Sequence, residues 1–218
     1  MSLADCSIHF TRELKIWGSS RYLMACKQHA KIHTIYQSIM LFVRRAAAFG
    51  IFLGLFLLAY FIGTLYKMST DEANNFLNEF HSATSGISAI GIFSHNASVA
   101  LPMFVPAVGV AWGFFTSWST GAAFEAIISS NPMLSKMSPL SLLLASPFGI
   151  MELVAYSIGM SRSYLVIWKI VKKRGIRTEI VPSAIEVGIV IALLLAGGFI
   201  EYSVISRHVA TWLIPRLR

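Results

Sequence analysis

Long apolar runs, broken by short polar stretches, organise the chain. The clearest covers residues 46–66, AAAFGIFLGLFLLAYFIGTLY. It contains no charged residue, follows Arg44-Arg45 and precedes Lys67. A bilayer core about 30 Å thick is crossed by about 20 mostly apolar residues in a helix, so this run predicts a membrane span. Residues 97–116 predict a second. Residues 148–168 predict a third, interrupted by Glu152 and Arg162, and residues 184–205 a fourth, with Glu186 and Glu201 towards its ends. The stretch between the second and third is less regular. Residues 121–128 are apolar but hold Glu125, residues 129–139 (SSNPMLSKMSP) are polar, and residues 140–147 are apolar again. These pieces predict either a short fifth crossing or a segment that dips into the bilayer and returns. Irregular backbone at membrane depth persists only where protein or water satisfies its polar groups. The predicted fold class is all-α: a polytopic transmembrane helix bundle of about five spans, with four as the alternative.

The polar segments orient the bundle. Residues 1–45 carry Arg12, Lys15, Arg21, Lys27, Lys31, Arg44 and Arg45 against Asp5 and Glu13. Residues 68–96 carry Asp71, Glu72 and Glu79 and no Lys or Arg. Residues 169–178 carry Lys169, Lys172, Lys173, Arg174 and Arg177. Basic loops stay on the cytoplasmic side, so the first and third segments are expected inside and the second outside. An odd number of crossings then joins residue 97 to residue 168, and three fit best. The expected location is the plasma membrane, with the N-terminus cytoplasmic. No cleavable signal peptide is visible, and the first run reads as an uncleaved anchor. The expected division is a basic cytoplasmic or membrane-surface segment (1–45), a transmembrane domain (46–206) and a short basic tail (207–218).

Two polar segments also predict surface helices. Ile32, Ile35, Tyr36, Ile39, Leu41, Phe42 and Val43 rise in density towards the first span. That pattern predicts an amphipathic helix on the headgroups. Ser69-Thr70-Asp71-Glu72 predicts a helix start. Phe76, Phe80, Ala83, Ile87 and Ile90 follow at helical spacing, giving an apolar face on the outer surface.

Composition agrees with a membrane protein. Of 218 residues, 56% are hydrophobic and only 13% charged, whereas soluble domains carry about 25% charged residues. The formal charge of +8 fits cytoplasmic loops and anionic lipid rather than nucleic acid. Cys6 and Cys26 are too few for a disulfide scaffold, and with His9, His29 and His33 they match no compact zinc spacing, so no metal or cofactor is expected. No nucleophile elbow, zinc-protease helix, phosphate-binding loop or dinucleotide fingerprint occurs, and Ser94 beside His95 makes no dyad without further geometry. The chain reads as non-enzymatic.

The intramembrane charges are the most informative candidates. A charge at mid-bilayer costs roughly 2.5–3.5 kcal/mol, so each should find a partner or water. Glu152 and Arg162 stand ten residues apart, about 15 Å along a helix, so any pairing runs across helices. A structural buried pair is the first reading. A charge path through Glu125, Glu152 and Arg162, lined by helices kinked at Pro102, Pro106 and Pro147, is the second. Glu186 and Glu201 are about 22 Å apart on one helix and are expected near the headgroups. Glycines at four-residue spacing, Gly50/Gly54 and Gly109/Gly113, predict close helix packing within the chain, or between copies in a homo-oligomer.

Some of these residues also form a recognisable order. Residues 91–101, GIFSHNASVAL, resemble the F-x-H-N signature of the stage II sporulation protein M family, through His95 and Asn96. Gly109, Gly113 and Thr116 stand where that family has small residues. Ser119-Thr120-Gly121 stands at its usual Asn-Gly turn, with Thr120 in place of Asn. Pro147, Gly149, Glu152 and Leu153 resemble its P-H-G-x-x-E-L segment, with Phe148 where the family has a polar residue. Ile200-Glu201 resembles the pair closing its last span. The resemblance covers residues 46–206. It implies a plasma-membrane protein of about five spans, without enzymatic activity, that scaffolds or localises membrane or cell-envelope protein partners, as the namesake does with peptidoglycan-remodelling proteins. His95 and Asn96 would then lock the junction between outer loop and second span, while Glu152 and Glu201 would hold helices together. A transporter or permease-like subunit is the alternative.

Overall fold

Serine and proline set most of the helix boundaries. The computed structural model describes residues 19–131, 136–173 and 175–213. Helix α1 spans Ser19–Thr64. Ser69 opens α2 (Thr70–Thr84) with a reciprocal cap: its side chain accepts from the Glu72 N–H, and Glu72 reaches back to the Ser69 N–H. Ser88 caps α3 (Ala89–Ala100), which tightens into a 3-10 turn at Leu101–Phe104 before α4 (Val108–Ser130). Ser138-Pro139 opens the short α5 (Pro139–Ala145), and Ser146-Pro147 opens α6 (Pro147–Val171). Proline suits the first helical position because no intrahelical partner exists there for its missing N–H. Helix α7 spans Arg177–Leu213, and no strand occurs among the described residues. Among the described residues, three segments are long and apolar enough to cross a membrane: Lys31–Thr64, Pro147–Val171 and Arg177–Ser206. Ala89–Phe104 is a shorter apolar helical stretch.

The chain divides into two units, Met1–Ala47 and Ala48–Arg218. In the first, the side chains of Ile32, Ile35, Tyr36, Ile39, Phe42 and Val43 are exposed. Asp5, Cys6, His9, Arg12, Glu13 and Lys15 lie outside the described residues, as do residues 214–218 of the expected tail.

In the second unit, side-chain contacts fix the helix directions. The end of α1 runs antiparallel to α6: Phe52 packs on Tyr164, Phe56 on Tyr156, and Tyr60 Oη donates to the Pro139 carbonyl at 2.9 Å. Helix α4 runs with α1, since Ser117 Oγ donates to the Phe56 carbonyl at 2.6 Å and Gly121 sits on the Tyr60 carbonyl. Helix α3 runs alongside α6 in the same direction, from Asn96 beside Glu152 to Val105, whose carbonyl accepts from Ser163 Oγ at 2.8 Å. Helix α7 returns antiparallel, with Glu186 beside Arg162 and Gly198 against Ala89 and Phe93. The core between them holds Phe52, Phe56, Ala100, Met103, Tyr156, Met160, Val190 and Leu194.

The second predicted span is corrected here. Residues 97–116 do not form one helix; they straddle a reversal between α3 and α4. Pro102 and Pro106 lack the N–H that a continuous helix needs. Ala107 sits at φ 69, ψ −53, and the Val108 N–H donates to the Pro106 carbonyl at 2.9 Å, the rarer and strained form of γ-turn. The reversal can be this tight because Gly109 lies on Met103: a Cβ there would be 2.1 Å from its carbonyl oxygen. The predicted outer-surface helix is also shorter than its apolar pattern. Gly86, at φ 72, ends that stretch, and Ile87 and Ile90 belong to the start of α3.

The strain at Ala107 yields a prediction. A non-glycine residue in this region costs about 1–3 kcal/mol. Ala107→Gly relieves part of that and loses some of the gain to the freer unfolded chain. A net rise of about 1 kcal/mol is expected, read as a higher melting temperature of the purified protein in detergent. A lower melting temperature would show that the turn is not strained in solution.

Candidate intramembrane polar site

Two polar clusters lie between the helices of the second unit. The first joins α3 to α6. Asn96 is buried on α3, and its Nδ2 donates to Glu152 Oε1 at 2.5 Å. Glu201, half-buried on α7, lies within electrostatic range of Glu152 and of Tyr156. Apolar helices surround this group, so its polar atoms gain more from pairing than they would in water.

The second cluster joins α6 to the start of α7. Arg162 Nε donates to Glu186 Oε2 at 2.7 Å while Nη2 donates to Glu186 Oε1, a two-pronged pairing. Arg162 Nη1 donates to Glu179 Oε2 at 2.5 Å. The other Glu179 oxygen accepts from Lys169 Nζ, which also donates to Thr178 Oγ1 at 3.2 Å. The Arg162 side chain is only 6% exposed, and those of Glu179 and Glu186 are 13% and 15% exposed. A planar guanidinium suits this role, because its fork meets one carboxylate in parallel and leaves a further N–H for a second. Two positive and two negative groups make the cluster neutral.

Hydroxyls complete the satisfaction. Ser157 and Ser161 donate to the carbonyls of Leu153 and Ser157, both at 2.7 Å. Among the described residues, no buried side-chain nitrogen or oxygen lacks a hydrogen-bond partner.

The candidates distribute unevenly over these clusters. Asn96 and Glu152 come together, with Glu201 within electrostatic range of Glu152. His95 is exposed on α3, and Ser88, not His95 or Asn96, caps the start of that helix, so the expected lock on the loop junction falls to Ser88. Glu125 is half-buried on α4, and no hydrogen bond or ion pair joins it to Glu152 or Arg162 among the described residues. Nor do Glu152 and Arg162 pair with each other; each finds its partner on a different helix. Glu186 is the main partner of Arg162. Glu179 and Lys169 carried no expectation as site residues. Gly109 and Gly113 pack tightly against Met103 and Met160. Pro147 opens α6, and Gly149 lies against the Leu143 carbonyl and Ser146 Oγ. Cys26 and His29 have no described side chain.

The Asn96–Glu152 contact makes a graded prediction. Glu152→Gln keeps an acceptor for Asn96 and should melt close to the wild type. Glu152→Leu strands the buried Asn96 amide, at a cost of about 1–3 kcal/mol. A melting temperature for Glu152→Leu equal to that of Glu152→Gln would show that the contact does not hold the helices.

No protein-family model, characterised protein or solved structure matches this chain.

Proposed function

We propose that the chain is a non-enzymatic integral plasma-membrane protein that scaffolds or localises cell-envelope partners. One observation carries this reading. Five polar side chains of the apolar helices are engaged in interhelical contacts, Asn96 with Glu152 and Arg162 with Glu179 and Glu186. Groups used this way build a rigid frame, and a frame suits presentation of partners better than movement of a substrate. The order of residues resembling the stage II sporulation protein M family supports the same reading.

The proposed topology has five passes, with the N-terminus cytoplasmic. The three long apolar helices supply three of them. The reversal at Val105–Ala107 supplies the others, as a hairpin of Ala89–Phe104 and Val108–Ser130. At 1.5 Å per residue the 23 residues of α4 reach about 35 Å, enough for a bilayer core. Asp71, Glu72 and Glu79 then lie outside, and Lys172, Lys173 and Arg177 inside, as the charge rule demands.

The test is mild-detergent co-purification of the tagged protein from its native membrane, with mass spectrometry of what accompanies it. A stoichiometric envelope protein is the expected result. A lone protein that also gives substrate-dependent flux in liposomes, lost in Glu152→Gln, would overturn the scaffold in favour of a transporter or permease-like subunit. That alternative draws on a single feature, two carboxylates (Glu152 and Glu201) within range of each other among apolar helices.

A further inference from the structure

The turn between α6 and α7 carries a charge that the neighbouring cluster does not offset. Glu179 and Glu186 are the acids nearest to it in sequence, and both are already engaged by Arg162 and Lys169. Lys172, Lys173 and Arg177 remain exposed at the tip. Lys173 adopts a left-handed conformation, φ 51, and the three cations lie within six residues of each other in the short link between the two helices. Apolar residues flank them: Val171 is 71% exposed, Ile176 46%, Ile180 62% and Val181 66%. One end of the helix pair thus presents cations beside uncovered aliphatic side chains.

We propose that this tip is a binding site for the phosphate headgroup of anionic phospholipids, with Lys172, Lys173 and Arg177 as its ligands. The inference rests on the membrane reading above and names a partner for it. Ammonium groups meet phosphate as point charges, and a guanidinium meets it through two parallel N–H groups. Basic residues immediately beside a membrane helix gain from the negative charge of the inner leaflet. The aliphatic side chains decide between ligands. A free phosphate ion makes no use of them, and an acidic protein would leave them against lipid, whereas a phospholipid offers phosphate and acyl chain together.

The test uses the full-length protein, purified in detergent and stripped of lipid. Native mass spectrometry then compares retention of phosphatidylglycerol and phosphatidylcholine of matched chain length. Wild type should retain phosphatidylglycerol preferentially. The triple variant Lys172→Gln, Lys173→Gln, Arg177→Gln should lose that preference by roughly tenfold to a hundredfold, from the gain expected per basic residue at an anionic surface. Arg44→Gln with Arg45→Gln should keep it. No preference in wild type, an unchanged preference in the triple variant, or displacement of the lipid by millimolar inorganic phosphate would each overturn the proposal. The second of these would leave the tip to an acidic protein. If the triple variant does not purify, the three single variants take its place, and an unchanged preference in all three is the overturning result. Failure of the membrane reading is separate: the wild-type chain would leave the membrane fraction in a carbonate wash.

Discussion

Arg162→Leu is expected to remove most of the folded protein. The substitution leaves Glu186 and Glu179, both largely buried, without the guanidinium that joins them. Breaking a buried ion pair from one side costs about 3–5 kcal/mol, because the remaining charge has lost its partner but not its burial. Domains are stable by only about 5–15 kcal/mol, so a loss of this size takes much of the margin. Arg162→Lys keeps the charge and loses the fork, so it should fall between the two. Removing the whole set is predicted to be milder than removing one member. Arg162→Leu combined with Lys169→Gln, Glu179→Gln and Glu186→Leu leaves no uncompensated charge, and apolar replacement of buried ion pairs is often neutral. The measurement is the melting temperature in detergent, with yield of monodisperse protein as a second readout. A wild-type melting temperature for Arg162→Leu alone would mean that water, not Arg162, serves the two carboxylates.

This cluster shows how far the sequence could be read. Arg162 stood out because an apolar run cannot hold a charge without a partner. Its partner could have been located by symmetry. The basic stretch around residue 174 predicts a turn between two helices, and Arg162 and Glu186 are equally far from it in sequence. An antiparallel hairpin sets such residues side by side. The depth of Glu186 on its own helix, taken alone, does not reveal that pairing. The first, third and fourth runs were legible as helices because each has about 20 mostly apolar residues and no internal proline. The second run was not, because hydropathy is blind to direction. Residues on both sides of the Pro102–Ala107 reversal are apolar, and only the two prolines and Gly109 mark where the chain turns back. Polar partners on separate helices, such as Asn96 and Glu152, leave no periodic trace. Their pairing was open to sequence only through the order of motif residues.

The glycines divide by packing, and that division predicts opposite effects of one methyl group. A Cβ added at Gly121 would lie 2.1 Å from the Tyr60 carbonyl oxygen, and one at Gly63 would lie 2.0 Å from the Trp118 carbonyl oxygen. Both obstacles are backbone atoms, which cannot swing aside as a side chain does. Gly121→Ala must therefore push α1 and α4 apart, shifting Ser117 Oγ from the Phe56 carbonyl as well. Overpacking of this kind costs about 1–3 kcal/mol, and the lost hydrogen bond adds about 1 kcal/mol. Gly50 and Gly54 face open space, so alanine there meets nothing and gains up to about 1 kcal/mol of helix propensity. Gly121→Ala is thus expected to melt well below wild type, and Gly50→Ala and Gly54→Ala at or slightly above it. The same three variants bear on self-association. Packing of α1 against α4 is internal to one chain, so Gly121→Ala should act on stability without dependence on protein concentration. If Gly54→Ala instead lowers stability, and does so more strongly in concentrated membranes, the open face of α1 receives a second copy, and the close approach of helices that glycine permits lies between chains there.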